Sequence, residues 1–167
     1  MWLKIRHNME VAHRLSKDTT KCKQIHGHGM QVELVFLNLE QDFHSGMCLT
    51  RFGATMEFGS MKRKFRDHID TKYDHHLVLN EEDPWAMPLS EPVFTGNDET
   101  DPSQEEWTLP GLTTVPGEPT VENLAKWIGE WAAREFQCDV VCRIEETKTN
   151  GAEAFIVWTG TTTKVTV

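Results

Sequence analysis

Two runs of strict alternation constrain this chain more than any other feature. Leu3, Ile5, Met9, Val11 and His13 share odd parity over residues 3–13. His26, His28, Met30, Val32, Leu34 and Phe36 share even parity over residues 26–36. A period of two places each set on one face of an extended strand. A slip of one residue would turn either set toward water, so the pairing register is strongly specified. The chain must therefore build a sheet with one buried face, and histidines continue both apolar rows.

The remaining pattern is read the same way. Met61, Phe65 and Ile69 recur at spacings of four, with Lys62, Arg63, Lys64 and Arg66 between them, which predicts an amphipathic helix over 59–72. Val121, Leu124, Ala125, Ile128, Trp131 and Ala132 predict a second helix, with Thr120 as its N-cap. Val140, Cys142, Ile144 and Glu146 lie on one face of a third strand. Asn150–Gly151 is a hairpin turn, Ala154–Trp158 a fourth strand, and the closing TTTKVTV a possible extension of the sheet. Residues 38–50 read as the loop leaving the second strand. The order strand, strand, helix, helix, strand, strand predicts an α+β domain with a four-stranded antiparallel sheet. At 167 residues the chain suits one domain, 1–167. Six of its seven prolines fall in an acidic excursion at about 84–118, expected to be a surface segment and mobile in part.

Charge and composition exclude some roles. A net charge of −9 argues against a nucleic-acid or anionic-membrane surface, both of which need a positive footprint. No apolar run reaches the roughly 18 residues of a membrane span. The N-terminus alternates like a strand and lacks the apolar core of a signal peptide, so a cytoplasmic location with reduced thiols is expected for Cys22, Cys48, Cys138 and Cys142.

Four groups carry candidate chemistry. His26 and His28, two apart on a strand, point the same way, and His13 ends the first strand on its apolar face. If the strands pair, three imidazoles converge, a donor set that suits zinc and leaves an open coordination position. Taken alone, the HxH pair also fits ordinary surface histidines near a turn. Cys22 lies between Lys21 and Lys23, whose charge favours thiolate and proton exchange near neutral pH. A loop cysteine without a role fits the composition equally well. Asp74 beside His75 can set an imidazole tautomer for acid–base work if the pair sits on a bend, though such a string also suits solvated surface. Glu146 places a carboxylate on an apolar face, where it must be paired. It can accept two parallel N–H bonds, as from the 2-amino and N3–H edge of a pterin, or it can bridge to a lysine or arginine.

The motifs AHRL (12–15), CKQIHGH (22–28), MEFGSMK (56–62), YDHHLVLNEEDP (73–84), EPTVEN (118–123) and IEET (144–147) resemble, in order and spacing, the 6-pyruvoyl-tetrahydropterin synthase / QueD family. The resemblance covers nearly all of the chain outside the proline-rich excursion. It implies the tunnelling fold (T-fold), a ββααββ unit assembling into an oligomeric barrel, commonly a homohexamer formed as a dimer of trimers, with active sites at subunit interfaces. It further implies His13, His26 and His28 as zinc ligands, Cys22 as the catalytic thiol, and Asp74 and His75 as its partners. Glu146 would anchor the pterin, and Thr120 and Glu122 would lie near the pocket. The CxxxHGH spacing looks like the 6-carboxytetrahydropterin synthase branch, which acts on 7,8-dihydroneopterin triphosphate on the way to queuosine and other 7-deazapurines. The alternatives are 6-pyruvoyl-tetrahydropterin synthase, whose usual gap is longer, and a non-catalytic zinc- or pterin-binding module. Three departures stand out: Glu57 where Asp is usual, Gly29 where a larger residue is common, and the length of the 85–117 segment.

Overall fold

A computed structural model describes residues 1–41, 48–91, 93–94, 106–107 and 109–166. The first strand, β1 (Leu3–His13), pairs antiparallel with β2 (His26–Leu37). The ladder runs from Leu3 opposite Phe36 to His13 opposite His26. This register sets odd residues of β1 against even residues of β2, so the two apolar rows coincide. Ile5, Met9, Val11, Met30, Val32, Leu34 and Phe36 are all buried. Each such side chain contributes about 1.5–3 kcal/mol when fully withdrawn from water, which makes the alternative register prohibitive.

Helix α1 (Phe58–Lys72) buries Met61, Phe65 and Ile69, the residues its spacing predicts. Its N-cap is Glu57, whose carboxylate accepts from Gly59 N and Ser60 N, both at 2.6 Å. Two backbone donors left over by the helix are thereby satisfied, so the longer Glu does the work of a capping acid here. The chain then forms β3 (His76–Asn80), a short helix α2 (Ala86–Ser90) and β4 (Leu112–Val115). Helix α3 (Val121–Phe136) follows, capped by the Thr120 side chain and buried along Leu124, Ala125, Ile128 and Ala132. Strands β5 (Asp139–Glu145), β6 (Gly151–Trp158) and β7 (Thr163–Thr166) complete the chain.

The main sheet has the order β7-β6-β5-β2-β1-β3-β4. Its centre, β6-β5-β2-β1, is the antiparallel four-stranded unit expected from the sequence. Three strands lengthen it: β7 at one edge, as the closing residues suggested, and β3 and β4 at the other, running parallel to β1. The result is a mixed seven-stranded α+β sheet. Both long helices contribute to one core cluster, with α3 against β5 and β6 and α1 against β1. On the other face, Glu33 is clamped by Arg6 Nε at 2.5 Å and Arg143 Nη1 at 3.1 Å, so this carboxylate is buried but paired.

Two segments expected to be loops contain more structure. Glu40–Gln41, Cys48–Leu49 and Thr55–Met56 form a small antiparallel sheet beyond β2. The proline-rich excursion supplies α2, β4 and the short pair Val93–Phe94 with Glu106–Trp107. Most of its acidic string, 97–105, lies outside the described residues. Among the described residues, no helix is long and apolar enough to cross a membrane.

Candidate active site

The β1–β2 register that buries the core also assembles the histidines. His13 faces His26 across the ladder, and His28 lies two pairs back, opposite Val11. Their ring centroids are 4.6, 5.4 and 5.1 Å apart, and each offers a nitrogen within 4.8 Å of the other two.

Hydrogen bonds set two of the tautomers. His13 Nδ1 lies 2.8 Å from Pro119 O, and His26 Nδ1 lies 2.8 Å from Gln24 O. A carbonyl oxygen only accepts, so each Nδ1 carries the proton and each Nε2 keeps its lone pair. The His13 ring is 2% exposed, and its Nε2 has no hydrogen-bond partner among the described residues. Burial is the largest influence lowering its pKa and favouring the neutral, ligating form. A buried orphan lone pair facing two more imidazoles is a poor arrangement for a closed core and a good one for a cation. Three nitrogen donors, two of them with the outer nitrogen tied to a carbonyl, fit a divalent metal with an open position.

Glu146 follows the last residue of β5 and continues its inward parity. Its Oε1 is 3.8 Å from both His13 Nε2 and His28 Nε2, and the side chain is 18% exposed. Among the described residues its ion-pair partners are these histidines, and no lysine or arginine is paired with it. Cys22 is half-buried in a 3-10 turn, Lys21–Lys23, capped by Thr20 and tied to β1 by Leu15 N donating to Cys22 O at 2.9 Å. Both flanking lysines are exposed.

One cavity of about 780 Å³ is lined by His13, His26, His28, Cys22, Glu146, Thr120 and Glu122. Seven of the nine residues singled out from the sequence therefore meet at one place. Lys21, Gln24, Thr147 and Asn150 also line it. The sequence reading missed Pro119 and Gln24 as partners of the His13 and His26 imidazoles, because a backbone acceptor leaves no side-chain signature.

Asp74 and His75 form the expected pair, with His75 Nδ1 2.8 Å from Asp74 Oδ2. They sit on the required bend: His75 has φ 59°. Its N–H donates to Glu10 O at 2.6 Å, and Glu10 N donates to Asp74 Oδ1 at 2.7 Å, which fastens the pair to the outer edge of β1. Burial pushes the Asp74 carboxyl up, but the Glu10 and His75 donors outweigh it and hold the carboxyl below its ordinary value. The pair does not join Cys22. His75 lines a second cavity of about 600 Å³ with Glu10, His76 and Gly111, and the two cavities share only Gly27 and His28. Gly29 belongs to this second wall: a Cβ there would come within 2.9 Å of the Glu10 carboxylate, which occupies the space of a larger side chain.

A mixed sheet backed by two long helices is a fold this chain shares with known pterin synthases. Among solved structures, 6-pyruvoyltetrahydropterin synthase of Plasmodium vivax superposes with TM-score 0.59 at 15% identity, covering 92% of this chain and 95% of that one. The Caenorhabditis elegans 6-pyruvoyl tetrahydropterin synthase gives 0.55 at 19%, covering 92% and 93%. An uncharacterized protein of Wolinella succinogenes gives 0.62 at 16%, covering 93% and 98%. The family model described as 6-pyruvoyl tetrahydropterin synthase matches residues 3–155, and the chain belongs to that family. Among curated relatives, 6-carboxy-5,6,7,8-tetrahydropterin synthase of Rickettsia typhi is 24% identical over 120 residues, 72% of this chain and 71% of that protein. The match to the Rickettsia conorii enzyme of the same name, 27% identical, spans 47% of this chain and about half of that enzyme, 51%.

Proposed function

We propose that this chain is a zinc-dependent 6-carboxy-5,6,7,8-tetrahydropterin synthase. It would convert 7,8-dihydroneopterin triphosphate and water to 6-carboxytetrahydropterin, acetaldehyde and triphosphate in queuosine or related 7-deazapurine biosynthesis, in the cytoplasm. The observation that carries the reading is the gathering of Cys22, three imidazoles and Glu146 around one cavity. The CxxxHGH spacing and the names of the curated relatives support the carboxy-forming branch over the pyruvoyl-forming one. Residues 1–167 are read as a single domain with its proline-rich excursion at about 84–118.

His13, His26 and His28 would hold the zinc. When bound, zinc acts as a Lewis acid that lowers the pKa of substrate hydroxyls. Glu146 accepts the 2-amino and N3–H donors of the pterin and so directs the side chain toward the imidazoles. Thr120 and Glu122 shape the opposite wall. Cys22 takes or returns a proton on one side of the substrate side chain. His75 does so on the other side, with Asp74 fixing its tautomer through the Nδ1 bond. Because Cys22 and His75 line different cavities of one chain, the pair would serve the pocket of a neighbouring copy in a homohexamer.

Incubation of the zinc-loaded protein with 7,8-dihydroneopterin triphosphate tests the reading. Acetaldehyde and a product of the mass of 6-carboxytetrahydropterin are expected. A product that keeps its carbon side chain, with no acetaldehyde, would assign the chain to 6-pyruvoyl-tetrahydropterin synthase. Pterin binding without turnover, unchanged in Cys22→Ala, would reduce it to a binding module.

A further inference from the structure

The EPTVEN segment does more than start α3. Glu118 Oε1 accepts from Ser16 Oγ at 2.7 Å and from Asn80 Nδ2 at 2.9 Å. Ser16 lies just beyond the end of β1, and Asn80, fully buried, is the last residue of β3. The backbone oxygen of Glu118 accepts from Thr120 N at 2.8 Å and from Asn123 Nδ2 at 2.9 Å, both at the start of α3. One residue thus joins three separate elements. The next residue is Pro119, buried, with its φ locked by the ring. Its carbonyl is the group that takes the His13 Nδ1 proton.

The direction of that carbonyl has few other sources. Proline has no N–H to anchor its own peptide; on its far side Thr120 N is tied back to the Glu118 oxygen, and Thr120 otherwise caps α3, accepting from Asn123 N at 3.3 Å and Leu124 N at 2.9 Å. The Glu118 contacts, side chain and backbone together, therefore fix where the Pro119 oxygen points. A ligating histidine depends on the partner of its other nitrogen for ring orientation and basicity.

We infer that Glu118 is a positioning residue for the metal centre: it clamps the β1 exit, the β3 end and the α3 start so that the Pro119 carbonyl orients His13. The inference rests on the trihistidine site being a zinc site. It assigns a role in this chain's own residues that lies outside the pocket, since Glu118 does not line the cavity.

The test is zinc affinity by competition with a chromophoric chelator on the full-length protein, with thermal midpoints measured alongside. Glu118→Ala is expected to weaken zinc binding roughly 10-fold, the low end of the cost of losing an outer partner of a ligating histidine, because the Pro119 carbonyl remains but is no longer held in place. Glu118→Gln keeps an oxygen for Ser16 and Asn80 and is expected to stay within about threefold of the parent. Ile69→Val, a core change away from the clamp, is expected to lower the thermal midpoint without changing zinc affinity. Should Glu118→Ala fail to fold, Ser16→Ala removes one donor from the edge of the clamp and is expected to weaken zinc roughly 3- to 10-fold. Parent-like affinity in Glu118→Ala, or in Ser16→Ala when that variant stands in for it, would overturn the clamp. An equal affinity loss in Ile69→Val would do the same. If the unsubstituted protein binds no zinc, the metal reading itself fails, and with it the inference built on it.

Discussion

Gly129 sits in the middle of α3, where Ala should be better by about 1 kcal/mol on helix propensity alone. The packing says the opposite. A Cβ at Gly129 would lie 2.8 Å from Ile156 Cγ1 and 3.1 Å from Cys142 Cβ. Both partners are fully buried, on β6 and β5, and neither contact is the free end of a mobile chain. Adding a methyl to a tight contact typically costs about 1–3 kcal/mol; at 2.8 Å the upper part of that range, about 2–3 kcal/mol, applies, so Gly129→Ala should lose roughly 1–2 kcal/mol net after the propensity gain. Urea denaturation at fixed protein and zinc concentration, followed by far-UV circular dichroism, reads the change as a lower midpoint with an unchanged slope. A cycle with Ile156→Ala sharpens the assignment. That substitution alone is costly, but it vacates the space the new methyl needs, so the double variant should lose less than the sum of the singles. An Ala variant as stable as the parent, or more stable, would refute the reasoning and show that α3 is free to lift from the sheet. The contact matters for function because α3 carries Thr120 and Glu122, and β5 leads into Glu146.

Two further outcomes are expected. Metal analysis should find about one zinc per chain, and His26→Ala or His28→Ala should reduce it sharply, because each removes one of three ligands; full zinc in both variants would rule the site out. His68 stacks flat on Trp131 at 3.8 Å, and burial, reinforced by Lys72 and Arg134, lowers its pKa to about 4. The unfolded chain then binds a proton between about pH 4 and 6.5 that the folded chain does not, so stability rises with pH across that window and is lower at pH 5 than at pH 7 by about 2 kcal/mol from this group. His68→Phe keeps an aromatic stack and should remove that portion of the acid sensitivity; an unchanged pH dependence would assign it elsewhere.

The sheet centre and the convergence of the three histidines were legible in the sequence for one reason. Parity alone tells which residues share a face, and the same rows that bury Val11 and Met30 run on into His13, His26 and His28. Helix α1 was legible from Met61, Phe65 and Ile69, and the α3 cap from Thr120. Strands β3 and β4 were not. His76–Asn80 is a short apolar run without alternation, and it pairs in parallel with β1, a contact far away in the chain that no local pattern announces. Leu112–Val115 lies within a proline-rich stretch whose composition suggests loop. Asp74 and His75 were legible as a pair because they are adjacent. Which cavity His75 faces depends on the Glu10 hydrogen bonds that carry the bend past the outer edge of β1, and these tie the Glu10 backbone to His75 N and the Asp74 carboxylate from a distant segment.

That placement leaves one chain with the Cys22 thiol lining one cavity and His75, held by Asp74, lining another, the two groups the proposed reaction needs together. Mixed reconstitution tests directly whether neighbouring copies unite them. Cys22→Ala and His75→Ala should each bind zinc and be inactive alone. After the two are unfolded together and reassembled in equal amounts, about a quarter of the sites should pair an intact Cys22 with an intact His75 from different chains. Recovery of roughly that fraction of parental acetaldehyde release is the expected result. A mixture as inactive as its components, although shown to have exchanged subunits, would contradict the shared site.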